Sequence, residues 1–367
     1  MHSNWRTTTL GEALPFSYGK NLPAKTRSHS GEFDVVTSAG VVDSHNEAYV
    51  HVPSIVIGRK GTIGSLTFCP NPVWPTDTTF FATETDACNL RFGYYLLHTL
   101  HLRELNNDSA VPGLNRSDAH ALEIHLPPRS EQVGIATVLG ALDDKIVANQ
   151  TSISKVDEIL RALWQKELSL GNIDVPLSSL ASFINGKAFT KGASGTGRVV
   201  VRIAEMNSGI GSRTVYSDID AAPDNVVDPG ELLFSWSGTL MTKRWPYDQA
   251  IVNQHIFKAV PNGQLDLWAL RQAIDAQLEY FQMIAAGKAT TMGHIKRGDL
   301  DQEVEVPAQM SEETNQLGNS LWRLATSLEI QNLQLARTRD ELLPLLMSGR
   351  ITVGEAEDAA DEAASES

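Results

Sequence analysis

Leu139, Leu142, Ile146, Asn149, Ile153, Val156, Leu160 and Leu163 fall at alternating steps of three and four residues. That spacing predicts a helix whose apolar seam packs lengthwise against another helix. Leu321, Leu324, Leu328, Gln331, Leu335, Thr338, Leu342 and Leu345 repeat the pattern, each at the same offset from its counterpart. The polar interruption recurs too, Asn149 answering to Gln331. A lone polar residue in such a seam commonly sets register at some cost in stability. The predicted helices, 130–168 and 311–348, would each be about 55–60 Å long at 1.5 Å per residue. Pro127-Pro128 and Pro307 close the preceding apolar alternations, and Ser130 and Ser311 are the expected N-caps.

Outside the helices the pattern changes. Short β-branched runs at 50–57, 66–68, 78–81, 199–203, 232–236 and 251–260 are punctuated by glycine and proline. Helical stretches are expected at 92–105 and 267–285. The pattern reads as α+β, two globular domains of mixed sheet and helix alternating with two long antiparallel coiled-coil helices.

The globular halves also repeat each other. Leu10, Phe16, Gly19 and Lys20 recur in order as Leu177, Phe183, Gly186 and Lys187. Ile57-Gly-Arg-Lys-Gly-Thr-Ile63 answers to Phe234-Ser-Trp-Ser-Gly-Thr-Leu240, and Pro127 to Pro307. A shared order of features marks an internal duplication with a pseudo-two-fold repeat. The expected boundaries are 1–127 and 171–308 for the globular domains, 128–170 and 309–350 for the helices, and 351–367 for an acidic, disordered tail. Paired antiparallel, the helices would hold the two globular domains apart as a rigid spacer.

The formal charge of −14 argues against a nucleic-acid partner until its distribution is considered. The tail holds six acids and no cation. Lys20, Lys25, Arg27 and His29 lie between Glu12 and Glu32 with no acid among them, and Lys187, Lys191, Arg198 and Arg202 do the same between Asp174 and Glu205. The composition, 42% hydrophobic and 20% charged, is that of an ordinary globular protein, and no run of about 18 apolar residues occurs. Two cysteines without a CxxC pair suit a reducing cytoplasm, where the protein is expected to reside away from membranes.

The segment Leu126-Pro-Pro-Arg-Ser-Glu-Gln-Val-Gly-Ile-Ala-Thr-Val-Leu-Gly-Ala-Leu-Asp-Asp-Lys-Ile146 resembles the start of the spacer helix in type I restriction–modification specificity subunits. Gly58-Arg-Lys-Gly-Thr-Ile-Gly64 is similar to the glycine hairpin of their target-recognition domains. The resemblance covers about residues 5–350. Pro307-Ala-Gln-Met-Ser-Glu-Glu departs from it, lacking the double proline and the Glu-Gln pair. It implies a non-catalytic DNA-binding subunit with two tandem target-recognition domains that read a bipartite double-stranded target. Its partners would be two methyltransferase subunits, which carry S-adenosylmethionine and methylate adenine N6, and restriction motor subunits, which use ATP and Mg. No cofactor or metal is expected in this chain.

Lys and Arg on glycine-rich loops can contact phosphates and guanine edges, and Asn suits adenine. The candidates are Lys20, Lys25, Arg27, Arg59, Lys60, Asn115 and Arg116 in the first domain. In the second they are Lys187, Lys191, Trp236, Lys243, Arg244, Lys296 and Arg297. Catalysis finds little support. The Pro-Pro at 127–128 lacks the flanking residues of an adenine methyltransferase, and no Walker sequence occurs. Asp143-Asp144-Lys145 reads as a solvated turn of the helix. His98-x-x-His101 has no neighbouring ligand set, and the loops at 192–197 and 209–211 read as turns. The alternatives are an enzyme with scattered catalytic residues and a helical scaffold without DNA readout.

Overall fold

The computed structural model describes residues 4–105, 113–287 and 293–365. Its long helices are α1 (Arg129–Leu170) and α2 (Glu312–Met347). Compact packing divides the chain into unit 1, residues 1–145 with 335–366, and unit 2, residues 146–334. The division falls inside both helices.

Within unit 2 the helices pair antiparallel, as their spacing predicts. Asn149 Nδ2 donates to Gln331 Oε1 at 2.6 Å and to Asn332 Oδ1 at 2.9 Å. Further along α1, Glu167 accepts from the Ser311 amide, the Ser311 hydroxyl and Thr314 Oγ1. The seam residues of α1 are all buried or half-buried. On α2, Leu321, Leu328, Gln331, Leu335, Thr338, Leu342 and Leu345 are too, but Leu324 is 48% exposed. The correction has a cause in packing. The first half of α2 lies on the helix Leu267–Ala276, where a Cβ on Gly318 would overlap the Trp268 indole. Gly318, Trp322 and Ala325 therefore face inward, and Leu324 turns out.

Two further expectations change at the helix ends. Ser311 caps α2, its hydroxyl accepting from the Thr314 amide, whereas Ser130 lies inside α1, which begins at Arg129. The amides of Glu131 and Gln132 donate to the Pro128 carbonyl. The acidic tail, expected to be disordered, forms helix α3 (Val353–Ser365). Thr352 and Glu355 cap its start, Val353 lies against Gly134, and Ala356 is buried. Spaced alanines provide an apolar side to the acidic segment, which charge alone did not reveal.

In unit 1, strands β1 (Ser17–Tyr18), β2 (Ser54–Gly58), β3 (Leu66–Cys69) and β4 (Thr79–Thr83) form a sheet in the order β1-β4-β2-β3. Unit 2 builds the same sheet from β5 (Ala181–Asn185), β6 (Leu232–Ser235), β7 (Met241–Arg244) and β8 (Ile256–Pro261), ordered β5-β8-β6-β7. The registers agree. Phe80 pairs with both Tyr18 and Ile57, and Phe257 with both Asn185 and Phe234. A smaller sheet accompanies each, with a parallel pair at its heart: Phe33–Thr37 with Val73–Pro75, and Arg198–Val201 with Ala250–Val252. The helical stretch expected at 92–105 is a helix Leu90–Thr99 followed by a 3-10 turn, and that at 267–285 is two helices.

Candidate nucleic-acid interface

The repeated Gly-Lys pairs mark the same place in both units. A Cβ on Gly19 would overlap the carbonyl oxygens of Pro75 and Thr76, and one on Gly186 those of Val252 and Asn253. The lack of a side chain lets each strand end run against a loop backbone. The Gly19 amide donates to Thr79 O and the Gly186 amide to Ile256 O.

A second set of backbone bonds builds the rest of the frame. In unit 1 the amides of Arg59 and Lys60 donate to Thr78 O, at 2.9 and 3.0 Å, and Arg59 O accepts from the Leu114 amide. In unit 2 the Trp236 amide donates to His255 O, and Trp236 O accepts from the Ile295 amide. A short helical turn follows each, Arg116–His120 and Arg297–Asp301. Tyr18, Arg59 and Arg116 thus correspond to Asn185, Trp236 and Arg297.

What hangs on this frame differs. In unit 1 the guanidinium carbons of Arg59 and Arg116 lie 5.1 and 4.8 Å from the ring centre of Tyr18, which is 47% exposed. Arg59 Nη1 donates to Asp77 O, and neither arginine pairs with a carboxylate among the described residues. Lys20 stands over Tyr49 and Trp74 at 5.5 and 5.4 Å. Asn115 spends its side-chain oxygen capping the Arg116 turn through the Ser117 amide. His120 accepts from the Phe16 amide through Nε2; burial, then the Arg116 cation, holds its pKa below the ordinary value. In unit 2, Trp236 Nε1 donates to Asn185 Oδ1 at 2.8 Å, and its ring meets His255 and His294. Arg297 and Asn185 line one open groove with Asp224 and Asp301.

The other candidates scatter. Lys60, Lys187, Lys191 and Lys296 are exposed, and Lys243 is half-exposed. Lys25 sits exposed on the turn Ala24–Thr26, and Arg27 pairs with Asp43 at 3.6 Å. Arg244 is a correction. It is 2% exposed, its Nε and Nη2 donate to Glu329 at 2.9 and 3.1 Å, and its guanidinium lies over Trp322. Alternation along β7 turns it to the core while Lys243 faces the other side. Of Asp143-Asp144-Lys145, expected as a solvated turn, Asp144 and Lys145 are exposed, Asp144 pairing with Arg91, but Asp143 is half-buried and accepts from Tyr95 Oη and Arg339 Nη1. Tyr18 and Asn185 were missed, although each directly precedes a repeated Gly-Lys pair. Among the described residues, no group of three or more His, Cys, Asp or Glu is placed to hold a metal ion.

The type I restriction modification DNA specificity domain matches residues 2–158. Over those residues the chain is similar to type I restriction–modification specificity subunits. The EcoDI type I restriction enzyme specificity subunit of Escherichia coli is 25% identical over 170 residues. That match takes in 45% of this chain and 37% of the relative's length. A type I restriction–modification S subunit from M. genitalium shares the fold, with a TM-score of 0.63 at 14% identity over 94% of this chain and 96% of that one. No described helix is long and apolar enough to cross a membrane.

Proposed function

We propose that the chain is the DNA-reading subunit of a type I restriction–modification complex, each unit taking one half of a bipartite double-stranded target. The observation that carries this reading is the frame described above, built twice with the same backbone bonds and carrying different side chains. A duplicated scaffold with varied tips suits two reading surfaces that recognise different sequences. The net charge of −14 does not oppose it, because positive groups gather locally at Tyr18 and Lys20.

In this reading the chain does no chemistry. Adenine methylation, with its S-adenosylmethionine, belongs to two partner methyltransferase subunits, and ATP- and Mg-dependent cleavage to restriction subunits. The helices offer apolar positions for docking such partners: Val133 of α1 in unit 1, and Leu317 and Leu324 of α2 in unit 2, each close to half exposed. Leu317 and Leu324 stand one heptad apart and so share a face.

The test is single-molecule methylome sequencing of the native host with and without the gene. Loss of N6-methyladenine at one motif, two specific halves around a fixed gap, is the expected result. No change at any motif would refute DNA readout and leave a helical scaffold.

A further inference from the structure

We propose that Arg116, seated with Arg59 on the ring of Tyr18, reads a guanine in the half-site taken by unit 1. This deepens the functional reading above and rests on it.

Two guanidinium groups over one exposed ring repel each other and have no acid to balance them among the described residues. Such an arrangement is favourable when a ligand rich in acceptors completes it. Arg59 is tethered through its backbone to Thr78 and Leu114 and through Nη1 to Asp77 O. It forms the fixed part of the platform together with Tyr18. Arg116 is the free part. Apart from its contact with the ring, its guanidinium makes no hydrogen bond with the described residues, so its N–H fork stays open. Contact with the ring restrains that fork in advance and lowers the ordering cost of binding.

The chemistry of the fork selects the base. Guanine presents two acceptors, O6 and N7, on its major-groove edge, and a planar pair of donors matches them. Adenine places a donor beside its acceptor, and cytosine presents a donor that an N–H would oppose. A phosphate also offers paired acceptors, so charge alone does not separate the two. Lysine does. It keeps a phosphate contact as a point charge but cannot reproduce the fork.

Unit 2 supplies the contrast. Where unit 1 has Tyr18 and Arg59, unit 2 has Asn185 and Trp236, bonded to each other through Oδ1 and Nε1. With its oxygen engaged and no guanidinium at the position of Arg59, this tip lacks the paired arginine platform. The effect of Arg116 is therefore confined to one half of the target.

The experiment is methylome sequencing of the native host carrying Arg116→Lys, Arg116→Ala or Arg59→Lys in the full-length gene. Arg116→Lys and Arg116→Ala should each make one guanine position of one half-site degenerate. Discrimination there should fall by about 10-fold to 100-fold, the worth of a bidentate base contact, with the other half unchanged. Arg59→Lys should give a weaker relaxation at the same position. Retention of the guanine by Arg116→Lys, with methylation lowered evenly only in Arg116→Ala, would identify a phosphate contact and overturn the proposal. An unaltered motif in all three variants, or uniform loss in all three, overturns it as well. Failure of the functional reading looks different, because the wild-type gene itself would then direct no motif.

Discussion

Replacing Arg244 by alanine tests the structure where it departs most sharply from the sequence pattern. The side chain is 2% exposed and bonds Glu329 through Nε and Nη2, with Nη1 3.6 Å from Asp157 and the guanidinium 4.8 Å from the Trp322 ring centre. Removing one member of a buried pair strands the other and costs about 3–5 kcal/mol. Loss of the cation–π contact adds about 0.5–1 kcal/mol. Glu329 retains some solvent access, and Arg244 Nη1 lacks a hydrogen-bond partner among the described residues, which puts the net effect near the lower end, about 3 kcal/mol. For a unit of this size that is a drop in Tm of roughly 6–12 °C. Urea and thermal unfolding followed by tryptophan fluorescence measure it. The double variant Arg244→Met/Glu329→Leu, which removes both charges, should recover most of the loss. An unchanged urea midpoint for Arg244→Ala, with an altered methylation motif, would refute the reasoning and return Arg244 to the DNA-facing surface.

Three further outcomes follow from the geometry. Gly186→Ala should destabilise unit 2 by about 1–3 kcal/mol or more, because the added Cβ has only backbone carbonyls to displace; wild-type resistance to limited proteolysis of that unit would contradict it. Asn149→Leu removes the bonds that Asn149 Nδ2 donates to Gln331 Oε1 and Asn332 Oδ1 and should cost about 1–3 kcal/mol, while Asn149→Leu/Gln331→Leu should regain part of it. Urea midpoints of the three proteins decide this, and a neutral single variant would remove the polar node from the account. Burial pushes the Cys69 and Cys88 thiols from 9.0 up to about 12. Unfolded thiols ionise first, so this contribution to stability is intact below about pH 9 and is lost as pH rises toward 12. At pH 8 a thiol reagent should modify them only on unfolding; rapid labelling of the native protein would show them accessible.

The helices, the class of fold and the duplication were legible in the sequence because each depends on short-range regularity. A 3-4 spacing defines a helix face wherever the helix packs, so Asn149 and Gln331 could be recognised as counterparts before they were seen to bond. The repeated Gly19-Lys20 and Gly186-Lys187 pairs were equally visible, since a missing Cβ is a property of the residue itself. Tertiary structure alone decided which cations turn inward. Lys243 and Arg244 are chemically similar neighbours, and only the arrival of α2 with Glu329 and Trp322 over one face of β7 separates them. It likewise moved Leu324 out of the seam, through the approach of Gly318 to Trp268, and folded the acidic tail against Gly134. The convergence of Tyr18, Arg59 and Arg116 depends on a strand end, a hairpin and a short helix far apart in the chain. Local periodicity cannot encode such a meeting, because it is set by sheet register and backbone bonds between segments.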